Sequence, residues 1–222
     1  MKKLILFMIF ACLLTGVARI QAQEEDSIQF LLSENVKLSG FGAPFVEFSS
    51  ITDEFAVCVG GGGALMINRS LFAGAYFEGI VTRHYMDELA EFANLERPQV
   101  SFEHGGIWLG YVYKHQKAIH GGLSMKLGWG SIDLDGEEIY DNPLEDSDHN
   151  DRIFVVQPQL EVEFNLTQWF KINVGAGYRF ITGNDATYLD DQGNHIKYYS
   201  TNDFNSPVGT ITFIFTGHDK KK

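Results

Sequence analysis

Ten polar side chains recur at alternate positions of otherwise apolar segments: Glu78, His104, Lys126, Gln157, Gln159, Glu161, Glu163, Lys171, Asn173 and Arg179. Acids, an imidazole and cations gathered on one hidden face must be paired or wetted, because an isolated charge is costly in a low-dielectric interior. Such a set would either plug a narrow lumen as a salt-bridge network or line an ion path gated by the same charges. A second group is purely acidic. Asp133, Asp135, Glu137, Glu138, Asp141, Glu145, Asp146, Asp148 and Asp151 crowd one segment with no Lys or Arg between them. Asp133-Leu134-Asp135-Gly136 has two carboxylates two apart and then a turn glycine, part of a calcium-loop pattern. The pattern is incomplete, with Ser131 at its starting position and Asn142 where the closing Glu belongs. Asp133, Asp135 and Glu137 are thus weak Ca²⁺ or Mg²⁺ candidates on a solvated outer loop, and no other cofactor is expected.

Catalytic constellations are poor. Ser101 lies three residues from His104, and so on the opposite face of a strand. Ser124 shares a face with His120 but sits about 13 Å along the strand. No Gly-x-Ser-x-Gly elbow occurs. The run Gly60–Gly63 lacks the following Lys-Ser/Thr of a phosphate loop and reads as a strand bend of weakly specified register. Exposed aromatics Tyr188, Tyr198, Tyr199 and Phe204 on a late loop are candidates for docking a surface partner.

The elements that hold these residues are strands. Phe154, Val156, Pro158, Leu160, Val162, Phe164 and Leu166 alternate with Val155, Gln157, Gln159, Glu161, Glu163 and Asn165. After the turn Thr167-Gln168, the residues Phe170, Ile172, Val174, Ala176, Tyr178 and Phe180 alternate with Lys171, Asn173, Gly175, Gly177 and Arg179. Period two gives one apolar and one polar face. A membrane barrel shows the apolar face to lipid and keeps the polar face in its lumen. Strands are predicted at 36–48, 54–67, 71–83, 100–114, 118–132, 152–166, 169–181 and 207–216. Tight polar turns (Asn68-Arg69-Ser70, His115-Gln116-Lys117, Thr167-Gln168) alternate with connections 49–53, 84–99, 133–151 and 182–206, three of them long. Short turns at one rim and long loops at the other fit an eight-stranded antiparallel up-and-down transmembrane β-barrel, all-β in class. Trp169, Phe170, Tyr111 and Tyr113 fall where a lipid–water interface would lie.

The ends agree. Lys2 and Lys3 precede an apolar stretch, and Ile20-Gln21-Ala22 offers a cleavage site, so residues 1–22 read as a cleaved signal peptide. Residues 23–35 form a short periplasmic segment with helix-like Ile28, Phe30, Leu31 and Leu32. Residues 36–216 form the barrel, and 217–222 a basic tail. Residues 87–95 have apolar positions spaced for a short helix. The formal charge of −12 becomes −15 once Lys2, Lys3 and Arg19 leave with the signal. No basic patch other than Lys220–Lys222 is visible along the sequence, which argues against nucleic acid. Cys58 is then the sole cysteine, so no internal disulfide forms.

The hairpins Val57-Cys58-Val59-Gly60-Gly61-Gly62-Gly63-Ala64-Leu65 with Leu71-Phe72-Ala73-Gly74-Ala75-Tyr76, and Asn165-Leu166-Thr167-Gln168-Trp169-Phe170 leading to Gly175-Ala176-Gly177-Tyr178-Arg179, resemble a known group. These are the small eight-stranded outer-membrane barrels of Gram-negative bacteria, the OmpA/OmpX-like outer membrane protein β-barrel domain, and the likeness spans 36–216. One departure is the ending, where Phe213 and Phe215 are followed by Gly217-His218-Asp219 and three lysines rather than by a terminal aromatic. The resemblance implies a monomer in the outer membrane, contact with lipopolysaccharide and insertion by the barrel assembly machinery. It implies a structural or surface-binding role through the acidic and aromatic outer loops, without catalysis. A narrow gated channel, a lipid A-modifying enzyme such as a deacylase, and a soluble lipocalin-like ligand-binding barrel with its faces reversed are the alternative readings.

Overall fold

The computed structural model describes residues 36–85, 95–138, 151–183, 186–189 and 195–217. The signal peptide, the 23–35 segment, the lysine tail and all but the last residue of the 87–95 helix lie outside the described residues. Strands follow one another as β1 Leu38–Ile51, β2 Glu54–Ile67, β3 Leu71–Ile80, β4 Leu95–Val112, β5 Ile119–Glu138, β6 Asp151–Asn165 and β7 Phe170–Gly183. A short hairpin of β8 Ala186–Leu189 and β9 His195–Tyr199 and a 3₁₀ turn Thr201–Phe204 then lead to β10 Ser206–Thr216. Eight strands close in the order β1-β10-β7-β6-β5-β4-β3-β2, every neighbour antiparallel, while β8 and β9 pair only with each other. This is a closed up-and-down β-barrel, which leaves no unpaired edge.

Alternation sets the faces. On β6, Leu160 and Val162 are 67% and 44% exposed, while Gln157, Gln159, Glu161 and Glu163 between and beside them are buried. Around the wall Leu65, Phe77, Ile107, Leu123, Val174 and Phe180 likewise point outward and exposed. The barrel is therefore apolar outside and polar at its centre. A lipocalin-like arrangement requires the opposite.

Several connections are shorter than their sequence suggested. The first is not a five-residue loop: β1 runs to Ile51, and Thr52 and Asp53, with φ of 50° and 62°, make a two-residue hairpin turn. Positive φ at both central residues matches the twist of the flanking strands. Asn68 and Arg69 turn in the same way at the other rim. The acidic segment also changes character. Strand β5 continues to Glu138, pairing Asp133 with Ser101, Asp135 with Gln99 and Glu137 with Glu96. The backbone register continues without a break from Ile132 opposite Phe102 to Leu134 opposite Val100, and the Ile132–Phe102 pair is of the kind that supports a ladder. Asp133-Leu134-Asp135-Gly136 is strand, so the turn that a calcium loop needs is absent there. The glycine run is regular strand as well, paired from Gly60 with Phe45 to Gly63 with Gly42. Its inward members make room for rings: a Cβ on Gly60 would lie 2.6 Å from Phe45 Cζ, and one on Gly62 3.1 Å from Trp108 Cε3. Aromatic packing in the lumen thus specifies a register that the glycines alone do not.

Candidate functional site

The lumen is layered. Toward the long loops sits an apolar plug of Ile51, Ala56, Cys58, Val100, Phe102, Ile132, Ile153, Val155, Ile181 and Phe204. Toward the short turns, one half of the bore is aromatic, with Phe41, Phe45, Phe72, Tyr76 and Trp108 in one cluster. The other half is polar. All ten polar residues singled out in the sequence point into the interior, and only Lys171 reaches noticeable exposure, at 14% of its side chain.

Between the two apolar clusters runs a charged belt. Lys126, from β5, donates to Glu78 on β3 and lies 3.6 Å from Glu47 on β1. Its ammonium sits 3.8 Å over the Phe45 ring, a favourable place for a desolvated cation. Arg179 Nη1 donates to Glu47 at 3.1 Å, and its guanidinium covers the Phe102 ring at 4.8 Å. His104 Nε2 is 2.9 Å from Glu78, and its Nδ1 is 2.9 Å from the Tyr76 hydroxyl. The Nδ1 contact with the phenol is a hydrogen bond, whereas Nε2 approaches the carboxylate without hydrogen-bond alignment. Gln157 donates to Glu47 Oε2, the oxygen that also faces Lys126. Two acids and two basic side chains, all buried, pair with one another, the condition under which buried charges are tolerated. Gly128 leaves space for this arrangement, since a Cβ there would stand 2.2 Å from the Tyr76 oxygen.

A second polar group lies nearer the short turns. Glu161 accepts from Ser124 and Asn173, and Glu163 from Lys171 at 2.6 Å, with His120 Nε2 3.0 Å away. Beneath it, the short-turn end opens into a vestibule of about 800 Å³ lined by Ser39, Met66, Arg69, His115, Asn165, Gln168 and Lys171. Past Lys171 the free space shrinks to about 10 Å³ between Trp108, Glu161 and Asn173, roughly one water at most.

Glu47, Tyr76 and Phe45 escaped the sequence reading. On β1 the inward set Phe45, Glu47, Ser49 faces an outward Val46 and Phe48, so both faces carry apolar residues and the period is blurred. The buried Glu itself was the available signal.

The outer mouth is closed by the 3₁₀ turn. Phe204 was expected to be an exposed docking residue; it is fully buried, in ring contact with Phe102 at 5.7 Å between centroids. Its carbonyl accepts from Arg179 Nε at 3.1 Å, and the Asp203 carbonyl accepts from Thr52 N at 3.0 Å. Asn205 Oδ1 accepts from Ile181 N at 2.6 Å, and a capping box joins Ser200 to Asp203. The segment is short and tied directly to β10, so its aromatic has only the bore to enter. Tyr188 lies on β8, Tyr198 and Tyr199 on β9, apart from the barrel sheet; their side chains are outside the described residues.

The serine–histidine pairs weighed in the sequence do not meet. Ser124 bonds Glu161, His120 bonds Glu163 and the Lys117 carbonyl, and His104 bonds Tyr76 and stands 2.9 Å from Glu78. Besides Tyr76, His104 and Glu78 in the belt, a hydroxyl, an imidazole and a carboxylate also line up at the long-loop rim. Thr82 Oγ1 is 3.0 Å from His84 Nε2, and His84 Nδ1 is 3.0 Å from Glu54. The same hydroxyl accepts from Val57 N, so the chain staples the segment after β3 to β2.

No protein-family model matches the chain, and no curated protein is detectably similar to it. Solved structures share its backbone shape at low identity. Neisserial surface protein A aligns with a TM-score of 0.48 and 12% identity, over 82% of this chain and 98% of that one. The N-terminal β-barrel domain of Pseudomonas aeruginosa OprF aligns at 0.46 and 8%, over 82% and 100%. Ail, the attachment invasion locus protein of Yersinia pestis, aligns at 0.44 and 11%, over 81% and 98%.

Proposed function

We propose that the chain spans a bacterial outer membrane as a closed wall with a filled bore, and serves as a structural and surface-presenting barrel rather than a catalyst. The observation that carries this reading is the inverted organisation: a continuous apolar outer face over paired charges. In water such a face would be an aggregation surface; in lipid it is the required one. On β6 the outward positions 154–164 span about 33 Å along the strand, or about 25 Å of membrane normal at ordinary barrel tilt, the height of an outer-membrane apolar band. The aromatic residues flanking this band support the same placement. Lipopolysaccharide against the upper wall, insertion by the barrel assembly machinery and a monomeric state follow from it. Binding by the β8–β9 hairpin and the acidic connection is the surface role we assign, since long connections on a rigid scaffold are where recognition is placed.

The test is gel migration of membrane-fraction protein in SDS, unheated against boiled. A faster unheated band, lost on boiling, is expected. Recovery in the soluble periplasmic fraction without a shift would overturn the membrane reading.

A gated channel is the second reading, favoured by the vestibule that leads from the short-turn mouth toward the belt. Substituting Lys171 or Arg179 would then raise single-channel conductance in planar bilayers, and no change in either would remove it.

A further inference from the structure

The short-turn rim is basic in a chain of formal charge −12. Lys37 precedes β1, Arg69 tips the β2–β3 turn, and Lys114 and Lys117 lie on the β4–β5 turn, all four exposed. The sequence scatters them over eighty residues, and barrel closure sets them along one arc of the rim, from β1 round to β5. Among the described residues of this rim no carboxylate is exposed; Glu161 and Glu163 point inward and are buried. The long-loop end is mixed instead, with Asp53, Glu54 and Glu103 exposed together with Arg83, Arg97 and Arg152.

The rim also carries an aromatic girdle. Tyr111, Tyr113, Trp169 and Phe215 are 42%, 52%, 50% and 43% exposed on the outward face. Lys114 Nζ lies 4.8 Å over the Tyr113 ring, which places the cations just beyond the level where interfacial aromatics sit. His115 lies on the same turn: partial burial first, then the nearby charges of Arg69 and Lys171, hold its imidazole below the usual histidine range.

We infer that this arc of cations binds the phosphate headgroups of anionic phospholipid in the periplasmic leaflet, through Lys37, Arg69, Lys114 and Lys117. The inference rests on the membrane reading above and adds the lipid class and the leaflet. Basic side chains beside an apolar wall meet headgroup phosphates at contact distance, where each contributes appreciably and falls off within a Debye length. The depth fixed by the girdle favours lipid over a soluble polyanion, which would need no aromatic collar.

The full-length mature protein is folded into vesicles of equal phosphatidylcholine and phosphatidylglycerol, released gently, and its retained lipids counted by native mass spectrometry. We expect enrichment of phosphatidylglycerol. Neutralising the arc as Lys37→Gln, Arg69→Asn, Lys114→Asn and Lys117→Gln should lower the enrichment about fivefold per residue. Asn is chosen at 69 and 114 because both have positive φ, 55° and 54°, which Asn tolerates. The control pair Arg97→Asn and Arg152→Gln, at the other end, should leave it unchanged; Arg97 likewise has positive φ, 52°. Raising the salt should weaken the wild-type preference. Equal retention of both lipids by the wild type, or equal loss in the control pair, overturns the inference. So does co-sedimentation of the wild type, but not the arc variant, with purified peptidoglycan when no lipid preference is seen. Heat-shifted migration of every variant shows that the barrel itself is intact, so failure of the lipid inference is distinct from failure of the membrane reading.

Discussion

Arg179 donates through Nε to the carbonyl of Phe204, at 3.1 Å, from within the charged belt. One guanidinium thus joins two things that would otherwise be separate: the ion pairs across the bore and the turn that seals its outer mouth. Its other nitrogens reach Glu47 at 3.1 Å and the Ser50 carbonyl at 3.3 Å. Loss of that residue should therefore be felt in both places.

Phe204→Ala removes the stopper. Cys58 lies directly in the same apolar cluster and is fully buried. Its maleimide labelling in detergent should rise at least about tenfold, with about 3–5 kcal/mol lost on unfolding. An unchanged labelling rate would mean that the turn is no barrier.

Arg179→Met breaks a buried ion pair from one side and leaves Glu47 to Lys126 and Gln157 alone. The expected loss is about 3–5 kcal/mol in denaturant titration. Adding Glu47→Gln should recover part of it, and the double-mutant cycle measures the coupling. Additive effects would show that the two side chains do not act together.

Gly128→Ala drives a methyl into the Tyr76 hydroxyl. A destabilisation of about 1–3 kcal/mol is expected from overpacking. Tyr76→Phe in the same chain should restore most of it by removing the oxygen that the new methyl meets at 2.2 Å. Failure of that rescue would place the strain in the backbone.

His115 supplies a pH test. Because the fold holds its imidazole below the ordinary value, through burial and then Arg69 and Lys171, the unfolded chain takes the proton first as pH falls. Its stability contribution is present above the unfolded midpoint of about 6.5 and is lost below it. Arg69→Asn should move the NMR titration midpoint of His115 upward. A midpoint that stays or falls would contradict the basic field at that rim.

The barrel was legible because β6 and β7 obey a strict period of two, and because short and long connections alternate. The same alternation brought all ten expected polar residues into the bore. What escaped did so for physical reasons. Glu47 sits on β1, where aromatic rings share the inward face with it, so polarity no longer marks the side. Asp133 and Asp135 looked like loop because acids are poor strand formers, yet the ladder that Ile132 and Phe102 support runs on through them opposite Ser101 and Gln99. Phe204 looked exposed because nothing local says that a four-residue turn will dip inward. The basic rim could not be seen at all in one dimension, since its members share only a height on a closed surface.

The wall closes where β1 meets β10, with Phe41 opposite Thr216 and Phe48 opposite Gly209. The seam joins the first and last strands in the chain, so no earlier fragment can be a finished wall. Until Ser206–Thr216 has been synthesised, β1 and β7 both present open hydrogen-bonding edges. Completion is consequently all-or-nothing: a chain truncated before this last strand exposes two sticky margins at once, and pairing with another such chain becomes its cheapest escape.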